Sequence, residues 1–121
     1  MAECLLIDRD VTERKRVREQ LAGLGLTIVE RDEADQGLVY CNDNGPDVVL
    51  MALQGSNLQT ADFIRRMRKS RQGKRPVVIA YGPQSYASRI GQTILDGAAE
   101  FFLLPVDCDT ICFKLRQTGV L

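Results

Sequence analysis

Five short apolar segments, each followed by a longer amphipathic one, constrain the fold of this 121-residue chain more than any other feature. The predicted strands cover residues 4–7, 26–29, 47–51, 76–80 and 101–104. Short apolar runs of this kind are typical of strands buried on both faces of a parallel sheet. Their regular alternation with helices predicts an α/β fold, a doubly wound five-stranded parallel sheet flanked by five helices. The length fits one domain over residues 1–121.

Acidic residues mark where several of the predicted helices begin. Asp10 is followed three residues later by Glu13, which is the spacing of a capping box, so Asp10 is the predicted N-cap of a helix that runs to about Gly23. Asp32 and Asp107 are the predicted caps of the second and fifth helices. In a doubly wound sheet the functional crevice lies at the carboxyl ends of the strands, so the residues that follow each strand are the candidate site.

Composition and charge exclude several classes of protein. The sixteen basic and sixteen acidic residues balance, which argues against a general nucleic-acid binder. We find no apolar run long enough to span a membrane and no basic leader at Met1, so we expect a cytoplasmic protein with no membrane partner.

The four cysteines predict no metal site. They form no CxxC pair, and the chain has no histidine, so we predict neither a metal nor any other cofactor. Reduced thiols that serve as small apolar residues explain them. A redox role for Cys108 and Cys112, which lie four residues apart on a predicted helix, is the alternative.

The motifs at the strand ends resemble those of response-regulator receiver domains along the whole chain. Pro46 and Asp47 precede four apolar residues, as in the third strand of the family. Residues 97–105 match the family pattern Gly-Ala-x-x-aromatic-x-x-Lys-Pro at every position except the lysine. The resemblance implies the flavodoxin-like receiver fold, with strand order 2-1-3-4-5, and a role in two-component signal transduction.

The residues that carry phosphorylation in the family are replaced at four strand ends. The metal-binding acidic pair falls on Asp8 and Arg9, the phospho-accepting aspartate on Ala52, the switch threonine or serine on Tyr81, and the lysine on Leu104. Ala52 supplies no carboxylate nucleophile, and Arg9 puts a positive charge where carboxylates would hold a cation. The sequence therefore predicts a degenerate phosphorylation pocket with no catalytic residue, and a chain that is not an enzyme.

Two interpretations of the acidic residues remain open at this stage. We expect Arg9 to bridge to Asp8 or Asp10 and so replace the missing cation, and the alternative is an Arg9 that is simply solvated. A shift of register would give the acidic role to Asp10 or Asp47. A cap explains Asp10 better, and Asp47 precedes its strand and so lies at the wrong end of the sheet.

The resemblance also indicates a partner-binding surface, because receivers usually bind partners through the fourth helix, fifth strand and fifth helix. The residues predicted for it are Tyr81, Gln84, Tyr86, Arg89, Ile90 and Phe101, with Phe113 as a further member. Tyrosine is favoured at interfaces because its ring contributes area and its hydroxyl a hydrogen bond. The alternative is that Phe101 and Phe113 are core residues.

These features predict a phosphorylation-independent interaction module in bacterial signal transduction, with its binding face held in one state. The expected partner is a signalling protein, namely a kinase, a phosphotransfer protein or another regulator. The resemblance also allows a homodimer.

A basic run between residues 65 and 75 supports a second candidate function. Its seven positive charges include Arg65, Arg66, Arg68, Lys69 and Arg71, and a smaller basic cluster lies at residues 14–18. The alternative function is a small-ligand sensor for an anion such as cyclic di-GMP, which some single-domain receivers bind through arginines. A solvated helix face explains the run without any ligand. Few aromatic residues interleave it, which weakens a single-stranded nucleic-acid interpretation.

Overall fold

The computed structural model describes all residues from 1 to 121 and contains one five-stranded parallel sheet. The strands are β1 (Glu3–Ile7), β2 (Thr27–Arg31), β3 (Val48–Ala52), β4 (Val77–Gly82) and β5 (Glu100–Leu103). They pair in parallel in the order β2-β1-β3-β4-β5. The predicted fold class and strand order are therefore confirmed.

Five α-helices alternate with the strands. They are α1 (Val11–Leu21), α2 (Ala34–Asn44), α3 (Thr60–Arg68), α4 (Ile90–Leu95) and α5 (Cys108–Gln117). The fourth helix differs from the single helix predicted over residues 85–96, because its first part is a 3-10 segment over Gln84–Arg89. None of the helices combines the length and the apolar character needed to span a membrane.

Two of the three predicted helix caps are confirmed and one is wrong. Asp10 accepts a hydrogen bond from the backbone N–H three residues later at 3.0 Å, and Asp107 does the same at 2.7 Å. The predicted cap Asp32 is not the N-cap of α2, because β2 continues to Arg31 and the helix starts one residue later, after Glu33.

The sheet divides the apolar core into two layers. On one side, α1 and α5 cover a cluster that includes Leu6, Leu50, Tyr81, Phe102 and Ile111. On the other side, α2 and α3 cover a second cluster, with Leu5, Val49, Met51, Phe63 and Met67 among its members. Because both faces are covered, all five residues of β3 are buried. This central strand carries Ala52 at its carboxyl end, beside Tyr81 in β4.

Candidate functional site

An open cleft of about 610 Å³ lies at the carboxyl edge of the sheet. The structure brings together there all five residues of the predicted degenerate pocket, namely Asp8, Arg9, Ala52, Tyr81 and Leu104. They come from the ends of four different strands, which is the place where doubly wound folds bind their ligands. The cleft is therefore the candidate functional site, and its chemistry depends on how these side chains are arranged.

Tyr81 points into the sheet rather than out to a partner. Its side chain is fully buried, and its ring stacks on Phe102 with 4.9 Å between centroids and 5° between planes. Its hydroxyl donates a hydrogen bond to Oδ2 of Asp8 at 2.7 Å. Since β3 lies between β1 and β4, the Tyr81 side chain crosses the end of β3 beside the small side chain of Ala52. The prediction that Tyr81 contacts a partner is wrong, because no part of it reaches the surface.

Asp8 is almost completely buried, with 4% of its surface exposed. Its Oδ1 accepts the backbone N–H of Asp10 at 2.9 Å, and its Oδ2 accepts the hydroxyl of Tyr81. Burial raises the pKa of this carboxyl, although the two hydrogen bonds act in the opposite direction. Burial and the neighbouring Asp8 likewise raise the pKa of Tyr81, so its hydroxyl remains a donor. Both carboxylate oxygens of Asp8 therefore have partners within the protein.

Arg9 does not replace the missing cation, so the predicted bridge to Asp8 or Asp10 is wrong. Its Nε and Nη2 donate to the two carboxylate oxygens of Glu33 at 2.9 and 3.0 Å, and 57% of the side chain is exposed. This bidentate pair raises the pKa of Arg9. Both oxygens of Asp8 and Oδ1 of Asp10 already accept other donors, whereas Glu33 offers both carboxylate oxygens to the guanidinium fork. The uncharged hydroxyl of Tyr81 partners Asp8 instead.

The cleft residues do not fit the magnesium ion that the receiver family implies. Mg²⁺ prefers several oxygen ligands in near-octahedral geometry. Here Asp8 is buried and hydrogen-bonded, Asp10 caps α1, and Ala52 offers no side-chain oxygen. Leu104 packs against the core cluster that contains Tyr81. Side chains that bind each other have taken the place of a cation site.

The remaining residues predicted for the partner surface lie beside the cleft. Gln84 and Arg89 are exposed, whereas Tyr86 and Ile90 are partly buried. The Arg89 guanidinium lies 4.1 Å from the centroid of the Tyr86 ring, in a cation–π contact. Tyr86 and Ile90 pack on Phe101, which is itself buried. Phe101 supports the surface from below and, at 5% exposure, offers almost no area to a partner.

Two exposed apolar side chains on α4, Ile94 and Leu95, were not predicted from the sequence, whereas Phe113 on α5 was predicted as a further member of the partner surface. Leu95 is 82% exposed, Ile94 is 40% exposed and Phe113 is 61% exposed. Phe113 is therefore a surface residue, whereas the core alternative holds for Phe101.

The predicted basic surface divides into paired and unpaired side chains. Arg65 pairs with Asp62 at 3.0 Å, so this member of the predicted anion site is occupied within its own helix. Arg75 likewise pairs with Asp47. The basic end surface is defined here as the remaining side chains, Arg66, Arg68, Lys69, Arg71 and Lys74, none of which forms an ion pair.

The basic cluster of α1 is largely neutralised by neighbouring acids. Arg14 pairs with Glu30 at 3.1 Å and also contacts Asp32. Arg18 pairs with Glu30 as well, and Arg16 pairs with Glu13 at 3.3 Å. Arg14 further donates to the backbone carbonyl of Asp8 at 2.7 Å, which ties α1 to the cleft.

The four cysteines are free thiols in two different environments. Cys4 and Cys41 are buried, and burial raises the pKa of each thiol to about 12. These two behave as small apolar side chains. Cys108 and Cys112 are partly exposed on α5.

The similarity of this chain to known proteins is found among solved structures. No protein-family model and no curated protein matches the chain. Among solved structures, NtrX from Brucella abortus superposes with a TM-score of 0.81 and 25% identity over 97% of this chain and 26% of that one. This chain therefore spans about a quarter of the NtrX chain.

Two further structures match over nearly their whole length. The receiver domain of a sensor histidine kinase from Pseudomonas aeruginosa has a TM-score of 0.83 and 18% identity over 98% of both chains, and holds a magnesium ion in its active-site cleft. The chemotaxis response regulator CheY4 of Vibrio cholerae has the same TM-score and identity over 100% of this chain and 99% of that one. This chain thus has the fold of a response-regulator receiver domain, which confirms the predicted resemblance.

Proposed function

We propose that this chain is a phosphorylation-independent receiver that acts as a protein–protein interaction module in bacterial signal transduction, and not as an enzyme. The observation that supports this most strongly is the buried hydrogen bond of 2.7 Å from Tyr81 to Asp8, made across the end of β3 beside Ala52. It uses the one remaining acid of the metal-binding pair in a contact within the protein.

The side chains that phosphoryl transfer requires are missing from this cleft. A covalent intermediate requires a nucleophile, and the methyl group of Ala52 cannot act as one. A divalent cation would have to displace the Tyr81 hydroxyl from Asp8, and the neighbouring carboxylate of Asp10 is engaged through Oδ1 as the cap of α1. Leu104 provides no positive charge for phosphoryl oxygens. Each absence alone would impair phosphorylation, and together they favour a binding role.

Packing connects the buried tyrosine to the proposed partner surface. The neighbour of Tyr81 in the chain is Gly82, where a Cβ atom would lie 2.8 Å from Cδ2 of Tyr86. Tyr86 therefore lies directly on the backbone of β4, at the residue that follows Tyr81. The backbone of β4 thus links the buried Tyr81 to the base of this surface. We infer that this surface is held in one state and binds its partner without a phosphorylation signal.

The proposed partner surface consists of Tyr86, Arg89 and Ile90 with the exposed Gln84, and Phe113, which is exposed on α5, is its proposed further member. A groove of about 260 Å³ between α4 and α5 continues it. Aromatic and arginine side chains contribute strongly to protein interfaces. The proposed partner is a kinase, a phosphotransfer protein or another regulator, and a second copy of this chain would use the same face.

Affinity capture from host lysate tests both parts of the proposal. The wild-type chain is compared with the double variant Tyr86→Ala/Arg89→Ala, in each case with and without acetyl phosphate and Mg²⁺. We expect the wild type to capture the same signalling protein under both conditions, and the double variant to lose it. The matched control, Lys15→Ala/Arg16→Ala on the exposed face of α1, should retain it. Capture that depends on acetyl phosphate would contradict phosphorylation independence, and retention by the double variant would contradict the assigned face.

A further inference from the structure

We propose that the basic end surface docks an acidic segment of a partner protein. It lies at the end of α3 and in the turn that follows, and the 3-10 helix Gln72–Lys74 belongs to that turn. Because α3 starts after the carboxyl end of β3 and returns across the sheet, this surface lies away from the cleft. The inference adds a second docking surface to the proposed interaction module and names the chemistry of its partner.

The charges of this surface are uncompensated, in contrast to those around them. Arg65 and Arg75, on its two flanks, both pair with aspartates. The four exposed members of the surface have no such partner, and they lie within nine positions of one another, at Arg66, Lys69, Arg71 and Lys74. Like charges at this separation repel, and carboxylates of a partner would relieve that repulsion.

Arg68 gives the surface a fixed donor. Its Nη1 donates to the backbone carbonyls of Gly73 and Lys74, both at 3.1 Å, and no carboxylate contacts it. The side chain is partly buried, and burial lowers the pKa of its guanidinium because the charged form loses hydration. A carboxylate of a partner would offset that loss of hydration. The remaining N–H donors of the guanidinium keep a set direction, which is the condition for bidentate recognition of a carboxylate.

The turn that holds Arg68 is itself tightly built. A Cβ atom at Gly73 would lie 1.9 Å from the carbonyl oxygen of Met67, so no other residue fits there without moving the backbone. The Gly73 N–H is also held by the Ser70 hydroxyl at 2.9 Å. The two carbonyls that orient Arg68 therefore have little freedom, and the donor is organised before any partner arrives.

The shape of the surface favours an extended acidic segment over a small anion. Small ligands bind in concave sites that bury most of their surface. The clefts of about 610, 260 and 160 Å³ are lined by other residues, and none contains a member of the basic end surface. This geometry weighs against the cyclic dinucleotide interpretation of the same arginines.

Protein carboxylates fit the surface better than nucleic acid does. No aromatic residue lies between positions 65 and 75, so bases would have no side chain on which to stack. The α1 arginines that would extend a basic track are already paired with acids. The chain as a whole carries no net charge, whereas nucleic-acid-binding domains are usually strongly basic.

The test is an NMR titration of the full chain with a short oligoglutamate peptide in low-salt buffer. We expect saturable shifts of the backbone amides of residues 66–74. The triple variant Arg66→Gln/Lys69→Gln/Arg71→Gln should bind about tenfold more weakly, as the loss of three exposed charge contacts implies. The matched control Arg16→Gln/Arg116→Gln/Lys15→Gln removes the same residue types elsewhere and should change affinity by less than about twofold.

Two further titrations complete the design. Arg68→Lys keeps the charge but loses the planar fork, and should weaken binding by about threefold if the fixed donor matters; unchanged affinity would overturn that role. Equal weakening in both triple variants would show non-specific attraction and overturn the proposal. So would tighter binding of cyclic di-GMP or of a single-stranded oligonucleotide at residues 66–74. None of these results bears on Tyr81 or Ala52, so a failure here is distinguishable from a failure of the proposed function.

Discussion

The carboxyl edge of the sheet and the basic end surface differ in whether their charged side chains have partners within the protein. At the edge, Asp8 is satisfied by Tyr81 and by a backbone N–H, and Arg9 is satisfied by Glu33. At the basic end surface, five cationic side chains have no carboxylate partner. The cleft is thus open to solvent, but Asp8 and Arg9 within it are engaged by internal contacts, whereas the cations of the basic end surface are not. The presence or absence of partners within the protein is therefore what distinguishes the charged side chains of the two regions.

Among the residues at the carboxyl edge, removal of the Tyr81 side chain should lower stability most. We expect Tyr81→Ala to lower the free energy of unfolding by about 3–5 kcal/mol, because it empties a buried volume beside Phe102 and leaves Asp8 without its hydroxyl partner. Urea denaturation followed by circular dichroism measures this. Tyr81→Phe keeps the ring and should lose only about 1–2 kcal/mol. Equal losses in the two variants would show that the hydroxyl, not the ring, carries the stability.

An acid introduced at position 52 should destabilise the chain rather than create a phosphorylation site. Ala52→Asp places a carboxylate in a buried position next to Asp8 and beside the Tyr81 ring, so we expect a loss of about 2–3 kcal/mol. In a Tyr81→Thr background the same substitution should cost less, since the smaller side chain leaves room for the new carboxylate and its water. A double-mutant cycle measures the difference. Additive losses would mean that positions 52 and 81 do not share the space.

The pH dependence of stability should reveal the buried carboxyl. Because burial raises the pKa of Asp8 in the folded chain, the folded state holds this proton more tightly than the unfolded state does. The stability that the protonated Asp8 carboxyl contributes to the folded state is therefore fully present below the ordinary carboxyl pKa. It is lost as pH rises through the raised pKa of the folded chain. Asp8→Asn removes that dependence, so the stability of the variant relative to wild type should increase as pH rises through this range. Paired urea denaturations across the acidic to neutral range test it, and a constant difference would contradict the raised pKa.

Substitution of Arg9 should have the smallest effect on stability. The Arg9 side chain is more than half exposed, so Arg9→Ala should lower stability only slightly, and the difference should shrink at high salt. Thermal denaturation in low and high salt measures this. Glu33→Gln, which breaks the pair from the other side, is the matched control. A large loss insensitive to salt would restore the idea that Arg9 replaces a cation next to Asp8.

Much of the fold could be predicted from the sequence because it depends on local patterns. The apolar runs predicted all five strands, and the spacing after Asp10 and Asp107 predicted two caps that the structure shows. The resemblance to receivers supplied the strand order, and the strand ends then placed Ala52 and Leu104 at one edge.

The direction of individual side chains could not be predicted in the same way. Whether Tyr81 turns inward depends on the free space beside Ala52, which belongs to a neighbouring strand. Arg9 has a long flexible side chain and acids on several sides, so its partner depends on where α2 starts. Phe101 and Phe113 looked alike in sequence, yet a strand residue under α4 is buried and an outward residue of α5 is exposed. Each outcome is decided by contacts between elements that lie far apart in the chain.

Our proposal depends on Tyr81 and Ala52 keeping cation and phosphoryl chemistry out of the cleft. Its most direct test is an NMR titration of the wild-type chain with Mg²⁺ and then beryllofluoride, which mimics a phosphoryl group on a carboxylate, followed by mass spectrometry after incubation with acetyl phosphate. We predict no saturable shifts of the amides of residues 8, 52 and 81 and no added phosphoryl group. Saturable shifts at these positions, or a phosphorylated product, would contradict the account.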